Sequence, residues 1–542
     1  LTLILCIKKN IIYYNDFNKD LDSMVDYILK IKPKIVDFYT MTNSYCTSLL
    51  LAEKLKRKKS NIKILLGGPQ ASLTAIDSMK AFPWIDAIGI GEGELTIRKI
   101  VDILIENKSF HNVKGVVYRE NNNVCYNGKE SLIEDLDSIP MLDYSLVNIE
   151  GLVKMPLDVG RGCPFGCIYC STKTFWQRHF RLKSSERIIK EIKSVIDNYG
   201  IRKFNFVHDI FTVNKSKIME FCKLVLKNNI EIQWDCSARI DTLDEEMIKI
   251  MKESGCEHIY LGIETGSKRM QKIVNKNLIL SDAEDKIKIL NKYKIEVTAS
   301  FIYGFPEETI DDVRATLRLI DILRREGVKY TQLHLLGILP GTELYENLKD
   351  NLVFSNNISD ISKDKGIDDF PKNIILNNKS IFCQYFDFES ELRENLIYLD
   401  TFVAVFYSFL FNNMFMTYKI IMEYYNNELL DFFLDFKIVN YNILYKSENI
   451  TKIQNTIGTL KKFIFTQNFG KYTSLIKECF EFEFDVFNFM YFDDSEEKVV
   501  NCNYNVYDIK KSGVFKDIDI KYPIKIILKR IKDCHIKLNR IV

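Results

Sequence analysis

Three cysteines fall within one short stretch, R-G-C-P-F-G-C-I-Y-C, which runs from Arg161 to Cys170. Cys163, Cys167 and Cys170 have the spacing C-x3-C-x2-C. Soft thiolates this close suit a small iron–sulfur cluster or a zinc ion. Structural zinc takes four ligands, and no neighbouring Cys or His completes a set. The closest His, His179, lies beyond the basic and aromatic stretch 173–178. Three thiolates on a four-iron cube leave one iron open to an exchangeable ligand. Gly162 and Gly166 let the backbone wrap tightly, and Tyr169 offers a flat ring beside the last thiol. The plain alternatives are a zinc loop and chance spacing among the 13 cysteines.

Such a loop must be held by something rigid, and the surrounding sequence supplies it. From about 155 to 345, short apolar runs at 157–159, 203–207, 232–237, 258–263, 297–302 and 330–336 read as strands. Stretches of helical period at 185–199, 215–228, 244–254, 282–293 and 310–326 lie between them. Strands alternating with helices predict a parallel sheet, and this number of units predicts a partial (β/α)6 barrel. The cysteine loop directly follows the first of these strands, at the end where barrel active sites are built.

This stretch closely resembles the radical-SAM superfamily. The resemblance implies that Cys163, Cys167 and Cys170 hold a [4Fe–4S] cluster whose fourth iron binds S-adenosylmethionine (SAM). One electron then cleaves the sulfonium and gives a 5′-deoxyadenosyl radical. It continues at F-V-H-D-I-F-T (206–212), implying a SAM contact for Asp209, with His208 expected to be a structural histidine. C-S-A-R (236–239) implies contacts for Ser237 and Arg239, and L-G-I-E-T-G (261–266) for Glu264. F-I-Y-G-F-P-E-E (301–308) resembles the glycine motif that packs by the adenine, at Gly304, and L-P-G-T (339–342) resembles the sixth-strand end. Tyr169 is expected to offer its ring to adenine.

The first 110 residues also alternate, with strand-like runs at 3–7, 35–39, 62–66 and 87–90. They predict a Rossmann-like (flavodoxin-like) parallel sheet. L-G-G-P (66–69) and I-G-E-G-E (90–94) end two of its strands, where glycines let a ligand approach the backbone. Upstream of a radical-SAM region, these motifs resemble the cobalamin-binding domain of B12-dependent radical-SAM proteins. On that resemblance Thr40, Ser44, Gly67, Gly68, Gly91 and Glu92 are expected at a corrin. The first histidine is His111, so cobalamin is expected to bind without a protein His ligand. Only one strand and one helix precede 35–39, where relatives have two of each. The chain begins at Leu1, and an N-terminal truncation or a rebuilt domain is expected. A degenerate domain that binds nothing is the plain alternative.

Residues 111–154 read as a connector with a hairpin at 113–118 and 124–126. Residues 346–542 read as a mainly α-helical region of no nameable chemistry, with Cys383, Cys479, Cys502 and Cys534 as ordinary thiols. The balance of 75 basic and 73 acidic residues gives a formal net charge of +2. That offers no whole-chain field for nucleic acid. No apolar run is long enough for a transmembrane segment, and no secretory signal precedes the first strand. Thirteen cysteines without a disulfide pattern point to a reducing cytoplasm, and the chemistry to an anaerobic one.

The reading is therefore a radical-SAM enzyme, cobalamin-dependent and methylating an unactivated carbon. The alternatives are radical oxidation, cyclisation, epimerisation or rearrangement with or without cobalamin, and a non-enzymatic Fe–S or SAM-binding module. The expected partners are a small-molecule, lipid or peptide substrate and an electron donor such as flavodoxin or ferredoxin.

Overall fold

The computed structural model describes residues 3–6, 10–13, 20–147, 149–355, 358–360, 362, 370–446, 453–491, 497–502, 524–531 and 535–541. The chain forms two compact units. One comprises Leu1–Glu308, Leu323–Tyr330 and His334–Arg393, and the other Thr309–Ile322, Thr331–Leu333 and Glu394–Val542.

The first unit opens with β1 (Leu3–Cys6), β2 (Asn10–Tyr13), α1 (Leu21–Ile31) and β3 (Ile35–Tyr39). Next come α2 (Tyr45–Lys58), β4 (Lys63–Gly67), α3 (Pro69–Leu73), α4 (Ala75–Ala81), β5 (Ala87–Gly89) and α5 (Ile97–Glu106). β6 (Val116–Glu120) and β7 (Asn123–Tyr126) complete the sheet, whose order is β2-β1-β3-β4-β5-β6-β7.

Only β3, β4 and β5 run parallel. β1 pairs antiparallel with β3, and β2 with β1, which corrects the expectation of a wholly parallel sheet. The β1–β2 hairpin supplies the ladder partners that β3 would otherwise lack, so the short N-terminal half leaves no orphaned edge on β3. The expected hairpin in the connector is β6 and β7, but it belongs to the sheet, with β6 antiparallel to β5.

A second sheet has the order β15-β14-β13-β12-β11-β8. It is built from β8 (Met155–Asp158), β11 (Lys203–Val207), β12 (Gln233–Ala238), β13 (Cys256–Glu264), β14 (Glu296–Tyr303) and β15 (Tyr330–Leu335). The pairs from β8 to β14 are parallel. A small ribbon of β9 (Gly160–Arg161) and β10 (Arg181–Leu182) brackets the cysteine loop. The connecting helices are α6 (Thr172–Phe175), α7 (Ser185–Tyr199), α8 (Lys215–Lys227), α9 (Glu245–Glu253), α10 (Lys268–Ile273), α11 (Leu280–Lys292) and α12 (Ile310–Arg325).

Four of these helices start where the sequence provides a cap. Ser184, Asn214, Asp244 and Ser267 accept backbone N–H groups at the first turns of α7, α8, α9 and α10. The two faces of the sheet differ. Phe204, Phe206, Trp234, Cys236, Ile259 and Leu261 are buried on one face, with Phe206 stacked on Trp234 at 5.0 Å. Alternate positions bring Asp235, Ser237, His258, Tyr260, Thr298 and Ser300 to the other face, where His258 Nε2 lies 2.8 Å from Thr298 Oγ1. A parallel sheet covered on both sides carries near-continuous apolar strands. This one keeps a polar face, and the cysteine loop opens at its end.

In the second unit helices dominate: Ser408–Asn413, Phe415–Tyr424, Leu429–Lys446, Ile453–Thr466 and Thr473–Tyr491. Phe402, Phe406, Phe432, Phe436 and Phe463 form an aromatic core with ring centroids 4.7–6.2 Å apart. Glu483 accepts the N–H groups of Met416 and Thr417 and so caps a helix from a distance. An antiparallel sheet of Glu497–Cys502, Ile524–Ile531 and His535–Ile541 follows, an addition to the mainly α-helical region expected for 346–542. Cys383 is buried; the side chain of Cys502 and all of Cys534 lie outside the described residues. Among the described residues no single helix is long and apolar enough to cross a membrane.

Asp37 is a conflict inside the first sheet. It sits on β3 opposite Leu5 and Leu65, and its Oδ1 is buried with no hydrogen-bond partner among the described residues. Burial pushes its carboxyl up to about 7. The folded pKa lies above the unfolded one, so folding disfavours the charged form. The cost is full above pH 7 and fades as pH falls toward 4. Asp37→Asn should stabilise the protein by roughly 2–4 kcal/mol at pH 8 and leave it nearly unchanged at pH 4, read by urea denaturation at the two pH values.

Candidate functional site

The loop between β9 and α6 carries Cys163, Cys167 and Cys170. Cys167 is buried, and the other two are half-buried. Burial raises the Cys163 thiol to about 11, and the neighbouring Cys170, Asp209 and Cys167 add to it. Burial and the charges of Cys167 and Asp209 raise Cys170. The three sulfurs thus sense one another. Among the described residues, however, no three His, Cys, Asp or Glu groups come close enough to hold a single metal ion. A four-iron cube takes each thiolate at a different iron, so its ligands stand farther apart than those of one ion. The donor set fits such a cube and not a mononuclear zinc site.

The loop owes its shape to its surroundings. Gly162 has φ +86°, and a Cβ there would lie 1.8 Å from the His179 carbonyl oxygen. Its N–H donates to Asp209 Oδ2 at 3.1 Å, and the Thr172 hydroxyl donates to Asp209 Oδ1 at 3.4 Å. Burial raises the Asp209 carboxyl, against these hydrogen bonds. Asp209 therefore braces the loop. Asn275 Nδ2 donates to the Gly166 carbonyl at 2.9 Å, and Ile168 N–H to the Val274 carbonyl at 3.2 Å.

The other candidates of residues 155–345 have these surroundings. The Tyr169 ring meets Phe305 edge-on at 5.8 Å, and burial with the nearby Glu264, Cys167 and Cys170 pushes its hydroxyl well above the usual range. Ser237 is half-buried on the polar face. Arg239 grips Asp241 with two nitrogens at 2.9 Å, donates to the Lys276 carbonyl, and lies 4.0 Å from the Phe165 ring centroid. Its guanidinium holds the cysteine loop from below.

Glu264, at φ +70°, is buried with Oε1 2.9 Å from Lys276 Nζ. Burial pulls the Lys276 ammonium down, but Glu264 and the Cys167 sulfur outweigh it and keep it above the usual lysine range. At Gly304 the N–H goes to Glu308, and the carbonyl accepts Arg393 Nη1 at 2.6 Å. His208 is structural: its Nδ1 accepts the Ile210 N–H at 2.8 Å, and burial lowers it to about 4.

Lys276, Asn275 and Arg393 were not found by sequence reasoning. Lys276 stands 12 residues beyond Glu264, and only the fold brings the two together. Arg393 comes from beyond the strand pattern altogether.

In the N-terminal sheet, most candidates are engaged internally. The Thr40 hydroxyl donates to the Gly67 carbonyl at 2.8 Å and accepts the Ala71 N–H. The Ser44 hydroxyl closes a turn on Met41. Gly68 lies where a Cβ would come 2.6 Å from the Thr40 carbonyl oxygen. Glu92 is held by Arg161 at 2.7 Å, Arg181 at 2.9 Å and the Ile133 N–H at 2.7 Å. Burial pushes its carboxyl up, and the bonds from Arg181, Ile133 and Arg161 outweigh that and hold it low. Among these candidates, Gly67 and Gly91 face open space. Beside Gly91 is a cleft of about 60 Å³, bounded by Ser72, Glu92, Ser131 and Phe175.

Residues 157–320 match the profile of the Radical SAM superfamily. An uncharacterized methyltransferase of Pyrococcus horikoshii is 32% identical over 336 residues, 61% of this chain and 72% of the relative. The anaerobic magnesium-protoporphyrin IX monomethyl ester cyclase of Cereibacter sphaeroides is 26% identical over 364 residues, 62% of this chain and 58% of that protein. The cobalamin-dependent S-adenosylmethionine radical enzyme OxsB, solved with aqua-cobalamin bound, shares the fold with a TM-score of 0.58 at 14% identity. That match covers 86% of this chain and 74% of OxsB. The chain belongs to the radical SAM superfamily. It is an enzyme of the class that works with a [4Fe–4S] cluster and S-adenosylmethionine, and cobalamin-dependent enzymes are among its structural neighbours.

Gly162→Ala should collapse the loop onto His179. Iron bound after anaerobic reconstitution is expected to fall below roughly half the wild-type amount while far-UV circular dichroism stays unchanged.

Proposed function

We propose that Cys163, Cys167 and Cys170 hold the [4Fe–4S] cluster and that this enzyme cleaves SAM there. The observation that carries the reading is three thiols on one loop that sense one another and whose backbone is braced by Asp209 and Asn275. A cluster bound there supplies the electron that cleaves SAM to a 5′-deoxyadenosyl radical. This chain's residues do the rest. Asp209, Asn275 and Arg239 fix the loop, and Tyr169 with Phe305 walls one side. The Ser237 hydroxyl, on the polar face, is available to the polar groups of SAM. The six-stranded sheet, read as a partial (β/α)6 barrel, leaves its polar face for the substrate.

The N-terminal domain, read as a Rossmann-like cobalamin domain, offers the ends of β4 and β5, where Gly67 and Gly91 leave room for a flat ligand. Cobalamin bound there without a histidine ligand would supply methyl-transfer chemistry, making the enzyme a C-methyltransferase, a reading supported by its likeness to the uncharacterized methyltransferase of Pyrococcus horikoshii. The substrate is a small molecule, lipid or peptide, the electron donor is of the flavodoxin or ferredoxin kind, and the setting is an anaerobic cytoplasm. A second reading, radical chemistry without a corrin, is favoured by the internal engagement of Thr40, Ser44, Gly68 and Glu92. A cleft of 60 Å³ also cannot enclose a corrin by itself.

Cys163→Ala, Cys167→Ala and Cys170→Ala should each abolish 5′-deoxyadenosine formation under anaerobic reduction, and Cys125→Ala should leave it unchanged. Wild-type output from any of the first three variants overturns the cluster assignment. Protein reconstituted with hydroxocobalamin should keep a corrinoid spectrum after desalting; loss of the corrinoid favours the second reading.

A further inference from the structure

The three thiols do not account for the ion pair buried against their loop. Residues 274–276 form the floor of that loop. Val274 accepts from Ile168, Asn275 donates to Gly166, and the Lys276 carbonyl accepts from the arginine that lies on Phe165. Lys276 Nζ then turns inward to Glu264 Oε1 at 2.9 Å, with only 9% and 10% of the two side chains exposed. The backbone makes room for the pair. A Cβ at Gly262 would lie 2.5 Å from Glu264 Oε1 and 3.0 Å from Lys276 Nζ. Glu264 itself adopts a left-handed backbone, φ +70°, which a non-glycine residue rarely takes.

A buried ion pair is costly to desolvate and often adds little stability. Placed against a redox centre, it has another effect. The potentials of iron–sulfur clusters follow the local charge, hydrogen bonding and exposure. The ammonium interacts with the Cys167 sulfur. In low-dielectric surroundings a charge at that position acts strongly.

We propose that the Lys276–Glu264 pair sets the reduction potential of the cluster, with Lys276 stabilising the reduced form and Glu264 moderating it. This rests on cluster assembly at Cys163, Cys167 and Cys170. The step is a one-electron reduction, supplied by dithionite in the test. The cluster gains one negative charge, and no bond is made or broken. Lys276 and Glu264 act as positioning residues, through charge and not through contact with a reacting atom.

The test is a potentiometric titration of the reconstituted protein without SAM, followed by electron paramagnetic resonance. Lys276→Met is expected to shift the reduction equilibrium about tenfold toward the oxidised form, about 59 mV downward for one electron. Glu264→Gln is expected to shift it upward by a similar factor, and Lys276→Arg to stay near wild type. A role in packing alone would not move the two neutralising variants in opposite directions. Shifts of the same sign, or no shift in variants that carry wild-type iron, overturn the inference and leave the cluster assignment standing. A wild-type protein that assembles no cluster overturns both. If Lys276→Met takes up no iron, Glu264→Gln decides alone, and an unchanged or lowered potential overturns the proposal.

Discussion

The backbone from Gly162 to Cys170 makes little hydrogen bonding with itself, so its curvature has to be imposed from outside. The bond from Cys170 N–H to the Cys167 carbonyl, at 3.3 Å, is internal. Gly162, Pro164, Gly166 and Ile168 are tied instead to Asp209, Arg178, Asn275, Val274 and Leu344. These partners come from widely separated parts of the chain. Strand ends, helix ends and the turn after α10 must all be in register before three thiols can face a common volume. Preorganisation of this kind moves the ordering cost from ligand uptake into folding.

The same loop is also anchored to the N-terminal sheet. Arg161, one residue ahead of Gly162, shares the Glu92 carboxylate with Arg181. Glu92, expected at a corrin, bounds the small cleft beside Gly91 and also joins two sheets of one unit. The glycines around it keep their separate purposes. Gly68 is small because the chain at Thr40 passes 2.6 Å from where its Cβ would be, and Gly91 is small with nothing nearby. Identical residue types in adjacent motifs thus serve packing in one place and leave space in another.

How much of this was legible follows from the range of the interactions. C-x3-C-x2-C is a local pattern on one loop, and its chemistry could be read directly. The strands and helices of 155–345 were readable because period and caps are local too. Contacts such as Arg239 with Phe165, Lys276 with Glu264, or Arg393 with Gly304 depend on tertiary placement, and no spacing rule encodes them. The direction of β1 was not readable, since a short apolar strand looks alike in parallel and antiparallel pairs. The C-terminal sheet was a missed signal: 524–531 and 535–541 are short runs in which Ile and Leu are interspersed with Lys, Arg or Asn.

The antiparallel ribbons at the two margins of the N-terminal sheet bear on how the domain assembles. β1 with β2, and β6 with β7, join residues close in sequence, and such ribbons zip in about 1–10 μs. The parallel pairs β3–β4 and β4–β5 need helical crossovers, which form more slowly. A nascent chain can therefore close both flanks early. That shortens the time during which bare strand margins are open to intermolecular stacking.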